Sequence, residues 1–150
     1  DALFGRSPDN IFLFGKAGVG KTAVTNFVLS ELQREALRRD TADEIHVTKV
    51  NCNNQSVYST VRHLVNSLRP EDTATFPKKG PSTADAFEEL YTQMERLGGT
   101  HLFVLDEIDH LSNPDPLLYE FPRARANGHI KEAKVGLIGI SNNYTFRNTL

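Results

Sequence analysis

The sequence predicts an α/β domain built on a parallel sheet buried on both faces, and three observations lead there. Short apolar runs alternate with stretches of helical periodicity along all 150 residues. Gly15 to Thr22 reads G-K-A-G-V-G-K-T and fits the pattern G-x-x-x-x-G-K-[ST] at every fixed position, between an apolar run and a helical stretch. A third run, His101 to Leu105, is apolar almost throughout and delivers Asp106-Glu107 at its tip. Strands of that kind belong to sheets covered by helices on both sides, and ligands gather at the carboxyl ends of such strands.

Taken in order, Asn10-Ile11-Phe12-Leu13-Phe14 is a buried-strand run. In the loop that follows, Gly15, Gly18 and Gly20 allow backbone conformations closed to other residues, so that successive N–H groups can converge on phosphate oxygens. Lys16, Ala17, Val19 and Ala23 complete the phosphate-binding stretch, Lys21 adds a positive charge, and the Thr22 hydroxyl suits magnesium. Val24, Phe27, Val28 and Leu32 then recur at helical spacing, and the helix points the positive end of its dipole at the nucleotide. After the charged stretch Arg34 to Asp43, the β-branched alternation of Ile45 to Val50 reads as a second strand, with a polar exit at Asn51 to Gln55.

Ser56 can cap a helix that carries Val57, Val61, Leu64, Val65 and Leu68 on one face, and Arg69-Pro70 ends it. From there to Ser82 runs a segment with three prolines and Lys78-Lys79 but no periodicity, long enough to be either functional or mobile. Ser82 and Asp85 stand at capping-box spacing before a third helix, whose expected buried stripe is Phe87, Leu90, Tyr91, Met94 and Leu97. Gly98-Gly99 stops it. Beyond the His101 strand, Pro114 and Pro116 interrupt the chain, a short helix is expected over Leu117 to Ala126, and Lys134 to Ile140 is a fourth strand leading into Ser141-Asn142-Asn143.

The chemistry sits at the strand tips. Asp106 would hold magnesium opposite Thr22, and Glu107 would orient and polarise the water that attacks the γ-phosphate of a nucleoside triphosphate. Taken alone, Asp106-Glu107-Ile108-Asp109 reads equally well as a solvated turn after a buried strand. The Asn142 amide offers both a donor and an acceptor to the γ-phosphate or the water, although asparagine also caps turns without any catalytic duty. No N-K-x-D stretch for reading guanine occurs, which favours adenine. The catalytic candidates are thus Lys21, Glu107 and Asn142, and the metal candidates Thr22 and Asp106.

Composition bounds the remainder. A 39% hydrophobic chain of this length can hold a core without disulfides, and the one cysteine, Cys52, favours a reducing, cytosolic setting. A net charge of −2 gives no global pull toward nucleic acid. The five histidines fall at no metal-ligand spacing, and Arg123, Arg125, Lys131 and Lys134, with Glu120 and Glu132 interspersed, read as a solvated face.

Several pieces together resemble a known family. The loop, L-F-V-L-D-E-I-D-H-L at Leu102 to Leu111, L-L-Y-E-F-P-R-A at Leu117 to Ala124, L-I-G-I-S-N at Leu137 to Asn142, and V-N-C at Val50 to Cys52 are similar to those of archaeal replication initiators. These are the origin-recognition and cell-division-control type AAA+ ATPases. The resemblance runs from about Asn10 to Leu150, with Ser141-Asn142-Asn143 in place of a common S-N-D and Phe121 where leucine is frequent. It implies a P-loop NTPase (AAA+) parallel sheet flanked by helices, in which the Asn142 strand lies between the phosphate-loop strand and the Asp106 strand. It implies ATP or ADP with Mg2+ as cofactors, slow hydrolysis dependent on an arginine from a lid or partner, and origin DNA and the replicative helicase as partners. Self-association through the ATPase face and a cytoplasmic, nucleoid-associated protein follow from the same likeness. The family's last core strand, helical lid and winged-helix domain are expected beyond Leu150, and its DNA-touching insertion would fall within Asn53 to Pro81. Two other readings stay open: a signalling-type P-loop NTPase scaffold without a DNA target, and a module that holds ADP for structure alone.

Overall fold

The computed structural model describes residues 11–14, 26, 30 and 45–141. Within them, four parallel strands form one sheet: β1 (Ile11–Phe14), β2 (Ile45–Asn51), β3 (Thr100–Asp106) and β4 (Lys134–Ser141), in the spatial order β1-β4-β3-β2. The last strand in sequence therefore sits between the first and the third, the order the family resemblance implies. Asn26 and Ser30 are helical. The rest of the helix expected after the phosphate loop lies outside the described residues.

Register turns the sheet into two distinct faces, because side chains alternate along each strand. His46, Thr48 and Val50 pair with His101, Phe103 and Leu105. His101 and Phe103 in turn pair with Val135 and Leu137. This face carries the main core, and α1 (Val57–Leu68) and α2 (Thr83–Leu97) pack against it with Val61, Leu64, Val65, Leu90 and Met94 all fully buried. On the opposite face Leu102, Val104, Ile138 and Ile140 are buried as well. A sheet buried on both sides is what the near-continuous apolar strands predict.

Both helices start where local chemistry says they should. Ser56 and Ser59 satisfy each other's backbone N–H at the head of α1, and Ser82 and Asp85 do the same at the head of α2. The α2 helix stops at Gly98, whose φ of 67° and ψ of −169° lie in a region open essentially to glycine alone. The buried stripe of α2 departs from expectation at its end. Leu90 and Met94 are buried and Phe87 and Tyr91 are partly so, but Leu97 is exposed, because the last turn runs past the edge of the core.

The proline-containing segment between the helices is held down. Asn66 Oδ1 accepts from the Phe76 N–H at 2.8 Å, Arg62 Nε donates to the Phe76 carbonyl at 2.9 Å, and the Tyr58 hydroxyl donates to the Pro77 carbonyl at 2.6 Å. The short helix expected over Leu117 to Ala126 forms over Pro116–Arg123, though not as a regular α-helix. It is a π-helix over Pro116–Glu120 followed by a 3₁₀ helix over Phe121–Arg123. Pro122 has no N–H to donate to a preceding carbonyl and so disfavours regular α-helical bonding here, while Leu117, Leu118 and Phe121 still reach the core.

Candidate functional site

All four strands end at one edge. Phe14, from which the chain enters the glycine-rich loop, pairs with Ser141, and Leu105 pairs with Gly139. Asp106, the last residue of β3, is thus separated from the end of β1 by one intervening strand, about 10 Å at the usual strand spacing. Gly15, Lys16, Ala17, Gly18, Val19, Gly20, Lys21, Thr22, Ala23 and Asn142 lie outside the described residues. Of the expected site residues, Asp106 and Glu107 are described.

These two carboxylates are held by a tight backbone device. Glu107 is left-handed, with φ 54° and ψ 42°, and its N–H donates to Asp106 Oδ1 at 2.8 Å. The chain then turns through a single 3₁₀ turn, Ile108–His110, whose His110 N–H donates to the Glu107 carbonyl at 3.0 Å. The His110 side chain follows, with Nε2 3.6 Å from Glu107 Oε1. Buried Ile108 anchors the turn in the core. Asp106 is exposed and Glu107 partly exposed.

Alternation along β3 sends Asp106 to the face shared with Leu102 and Val104, opposite the α1/α2 core. There it lines a cavity of about 250 Å³ with Asn26, Lys49, Asn51, Val104 and Ile140. A helical residue just past the phosphate loop, the tip of β3 and the tip of β2 thereby share one hollow. Lys49 belongs to no motif and Asn51 is the middle residue of V-N-C, and their nearness to Asp106 arises from the β2–β3 pairing, in which Asn51 faces Asp106 directly. The signals available in the sequence are the V-N-C piece at Val50 to Cys52 and the alternation along β2, which puts Lys49 and Asn51 on one face.

Behind the tip, the Cys52 N–H donates to the Asp106 carbonyl at 2.8 Å. Cys52 is fully buried, and its thiol is pushed up to about 12 by burial, with the Thr60 hydroxyl opposing and the charges of Asp106, Glu107 and Asp109 adding to the rise. It is a buried core thiol, as its position at a strand end suggests. Among the described residues no group of three or more His, Cys, Asp or Glu is placed to hold a metal, and no helix is long and apolar enough to cross a membrane.

A family model described as an AAA domain matches residues 6–144. The chain belongs to the AAA domain family. This AAA domain is similar over 100% of its length to ORC1-type DNA replication protein 8 of Halobacterium salinarum, at 46% identity, and covers 38% of that protein. It is likewise 46% identical to ORC1-type DNA replication protein 15 of Haloarcula marismortui, with 97% of this chain and 36% of the relative aligned. Among solved structures, the Aeropyrum pernix ORC1 protein in complex with DNA matches with a TM-score of 0.72 and 31% identity, covering 99% of this chain and 37% of that one. The chain thus spans little more than a third of the relatives it matches. The resemblance to archaeal origin-recognition type AAA+ proteins read from the sequence is borne out, and with it the P-loop type of parallel sheet.

Proposed function

We propose that this AAA domain is the ATP-binding and ATP-hydrolysing switch of a DNA replication initiator. The observation that carries the reading is the convergence at one sheet edge of three strand ends: the one that enters G-K-A-G-V-G-K-T, the one that leads to Asn142, and the one that ends in Asp106-Glu107. Similarity to ORC1-type proteins over the whole chain supports the replication context. The A. pernix relative, solved in complex with DNA, supports DNA as a partner.

Each residue then has a task. Main-chain N–H groups of Gly15 to Ala23 cradle the phosphates, and Lys21 neutralises the charge that builds on the β- and γ-phosphates. Thr22 and Asp106 form an oxygen donor pair of the kind magnesium takes. Asp106 fits the role: its Oδ1 accepts from the Glu107 N–H, which fixes the carboxylate, and among the described residues Oδ2 has no such partner. Bound there, magnesium would neutralise charge developing between the phosphates. Glu107 orients and polarises the attacking water, and Asn142 contacts the γ-phosphate or that water. Such chemistry is mostly positioning, so hydrolysis stays slow until a further arginine arrives from a lid or a partner. ATP and ADP differ in affinity for two arrangements of the whole initiator, and that difference drives the switch at the origin and in recruiting the replicative helicase.

The test joins nucleotide binding to DNA binding. Lys21→Ala is expected to abolish binding of a labelled ATP analogue. Glu107→Gln is expected to retain it while lowering turnover by about 10²–10³-fold, as for loss of one transition-state contact. Nuclease footprinting of the full-length protein on its own genome's origin region should differ between ATP and ADP. Unchanged nucleotide affinity in Lys21→Ala removes the enzymatic reading, and absence of any footprint leaves a nucleotide-gated scaffold.

A further inference from the structure

A second concave surface lies on the other side of the sheet from Asp106. It is a groove of about 1060 Å³ between α2 and the turn that includes Asn127, Gly128 and His129. Its floor is aromatic: the Tyr91 and His129 rings lie parallel, 8° apart in plane with centroids 4.9 Å apart, and Phe87 sits 6.2 Å from Tyr91. Phe87 and Tyr91 both pack on Phe121, which is fully buried and contacts Phe103 of β3 at 5.3 Å. The floor is thus fixed by the core before any ligand arrives, which lowers the cost of binding.

The groove's charge is one-sided. Glu88, Glu95 and Glu120 line it, and the one lysine among the described residues whose charge acts on them is Lys131, beside Glu95 at one end. Glu95 is already engaged, its carboxylate accepting N–H groups of Lys131, Glu132 and Ala133. Among the described residues Glu88 and Glu120 make no ion pair, while Arg69–Glu89 and His110–Glu107 do. The Tyr91 hydroxyl, pushed up to about 12 by burial and then by the charge of Glu120, senses the same negative field.

We propose that this groove docks an arginine-bearing basic segment of a partner protein. A guanidinium is planar, stacks on aromatic faces and offers several donors to carboxylates, which matches the exposed His129 ring backed by Tyr91, with Glu88 and Glu120, free of ion pairs among the described residues, lining the same groove. Acidic segments and nucleic acid are repelled by the same charges, and a neutral peptide leaves them uncompensated. The groove is remote from the strand tips that gather the nucleotide candidates, so the proposal stands whether or not the ATPase reading does.

The probe is the peptide acetyl-Gly-Arg-Gly-Arg-Gly-amide, titrated into the intact protein and followed by the amide NMR signals of Phe87 to Glu95 and Asn127 to His129. Its counterpart with citrulline, which keeps the shape and removes the charge, is expected to bind at least about tenfold more weakly. Glu88→Gln with Glu120→Gln is expected to weaken the arginine peptide by about tenfold or more, with the melting temperature unchanged. Equal affinity for the citrulline peptide, shifts centred elsewhere on the protein, or an unaffected double variant overturns the proposal. So does self-association that the peptide displaces, since the occupant is then a second copy of this chain.

Discussion

The clearest perturbation concerns His101. It is fully buried, pairs with His46 across the β2–β3 ladder with ring centroids 4.6 Å apart, and touches Phe103 on its own strand. Its Nε2 lies 3.0 Å from the Gly98 carbonyl. Burial, followed by the charge of His46, lowers its pKa from 6.5 to about 4, against the opposing pull of the Gly98 and Met94 carbonyls and of Glu95. The unfolded chain therefore binds a proton that the folded chain refuses between those two values. Stability is complete above pH 6.5 and falls as the pH drops toward 4, by about 3 kcal/mol in all and about 2 kcal/mol by pH 5. A loss of that size is a large part of a typical domain's stability and lowers the melting temperature by roughly 4–8 °C. The assay is urea unfolding at pH 7.5 and pH 5.0 for the wild type and for His101→Phe, which keeps a flat ring in the stack and removes the titration. The variant loses the Gly98 contact at both pH values, but its loss on acidification should be about 2 kcal/mol smaller than the wild type's. Equal losses in the two proteins would refute the burial argument.

Two further predictions rest on single side chains. Burial alone raises the Glu95 carboxyl, yet the backbone N–H groups of Ala133, Lys131 and Glu132 and the Lys131 charge outweigh it and hold it below its ordinary value. Glu95→Ala strips three amides of their acceptor just before β4, so unfolding experiments should show a loss of about 2 kcal/mol, most of it confined to pH values above the carboxylate range. For Cys52, full burial and a thiol pushed up to about 12 predict that a disulfide reagent at pH 8 modifies the native protein at least about 10³-fold more slowly than the urea-unfolded chain.

What the sequence made legible was whatever depends on neighbours in the chain. The caps at Ser56 and Ser82, the stop at Gly98, the apolar strands and the carboxylates at the end of β3 are all set by residues within a few positions of one another. Where one strand lies beside another was not legible in this way. The His46–His101 stack and the approach of Lys49 and Asn51 to Asp106 exist because β2 runs beside β3 in one register and no other. The sheet order came from resemblance and not from periodicity. Between Pro116 and Arg123 the sequence indicated burial and a short helix but not its π and 3₁₀ form, which goes with a donor missing at Pro122. The aromatic groove was not legible either: Phe87 and Tyr91 have the spacing of core residues, and the groove exists because the turn around His129 packs beside them.

The backbone at Glu107 carries a consequence for stability that runs against function. A non-glycine residue at φ 54° suffers a close approach of Cβ to its own backbone, worth about 1–2 kcal/mol. Three hydrogen bonds hold the chain there, from the Glu107 N–H to Asp106 Oδ1, from the His110 N–H to the Glu107 carbonyl and from the Leu111 N–H to the Ile108 carbonyl. All three survive replacement of the side chain. Glu107→Gly relieves the left-handed strain and gives back about 0.4–1 kcal/mol through the greater freedom of the unfolded chain, so it should be more stable than Glu107→Ala by up to about 1 kcal/mol. Both variants lose the His110 contact equally, which isolates the backbone term. If Glu107 is the water-orienting carboxylate, both also lose turnover, and the glycine variant becomes the more stable and the inactive one. A glycine variant less stable than the alanine variant by about 0.4–1 kcal/mol, the unfolded-chain term alone, would mean that the left-handed turn is unstrained and that the tip of β3 holds its carboxylates by hydrogen bonding alone.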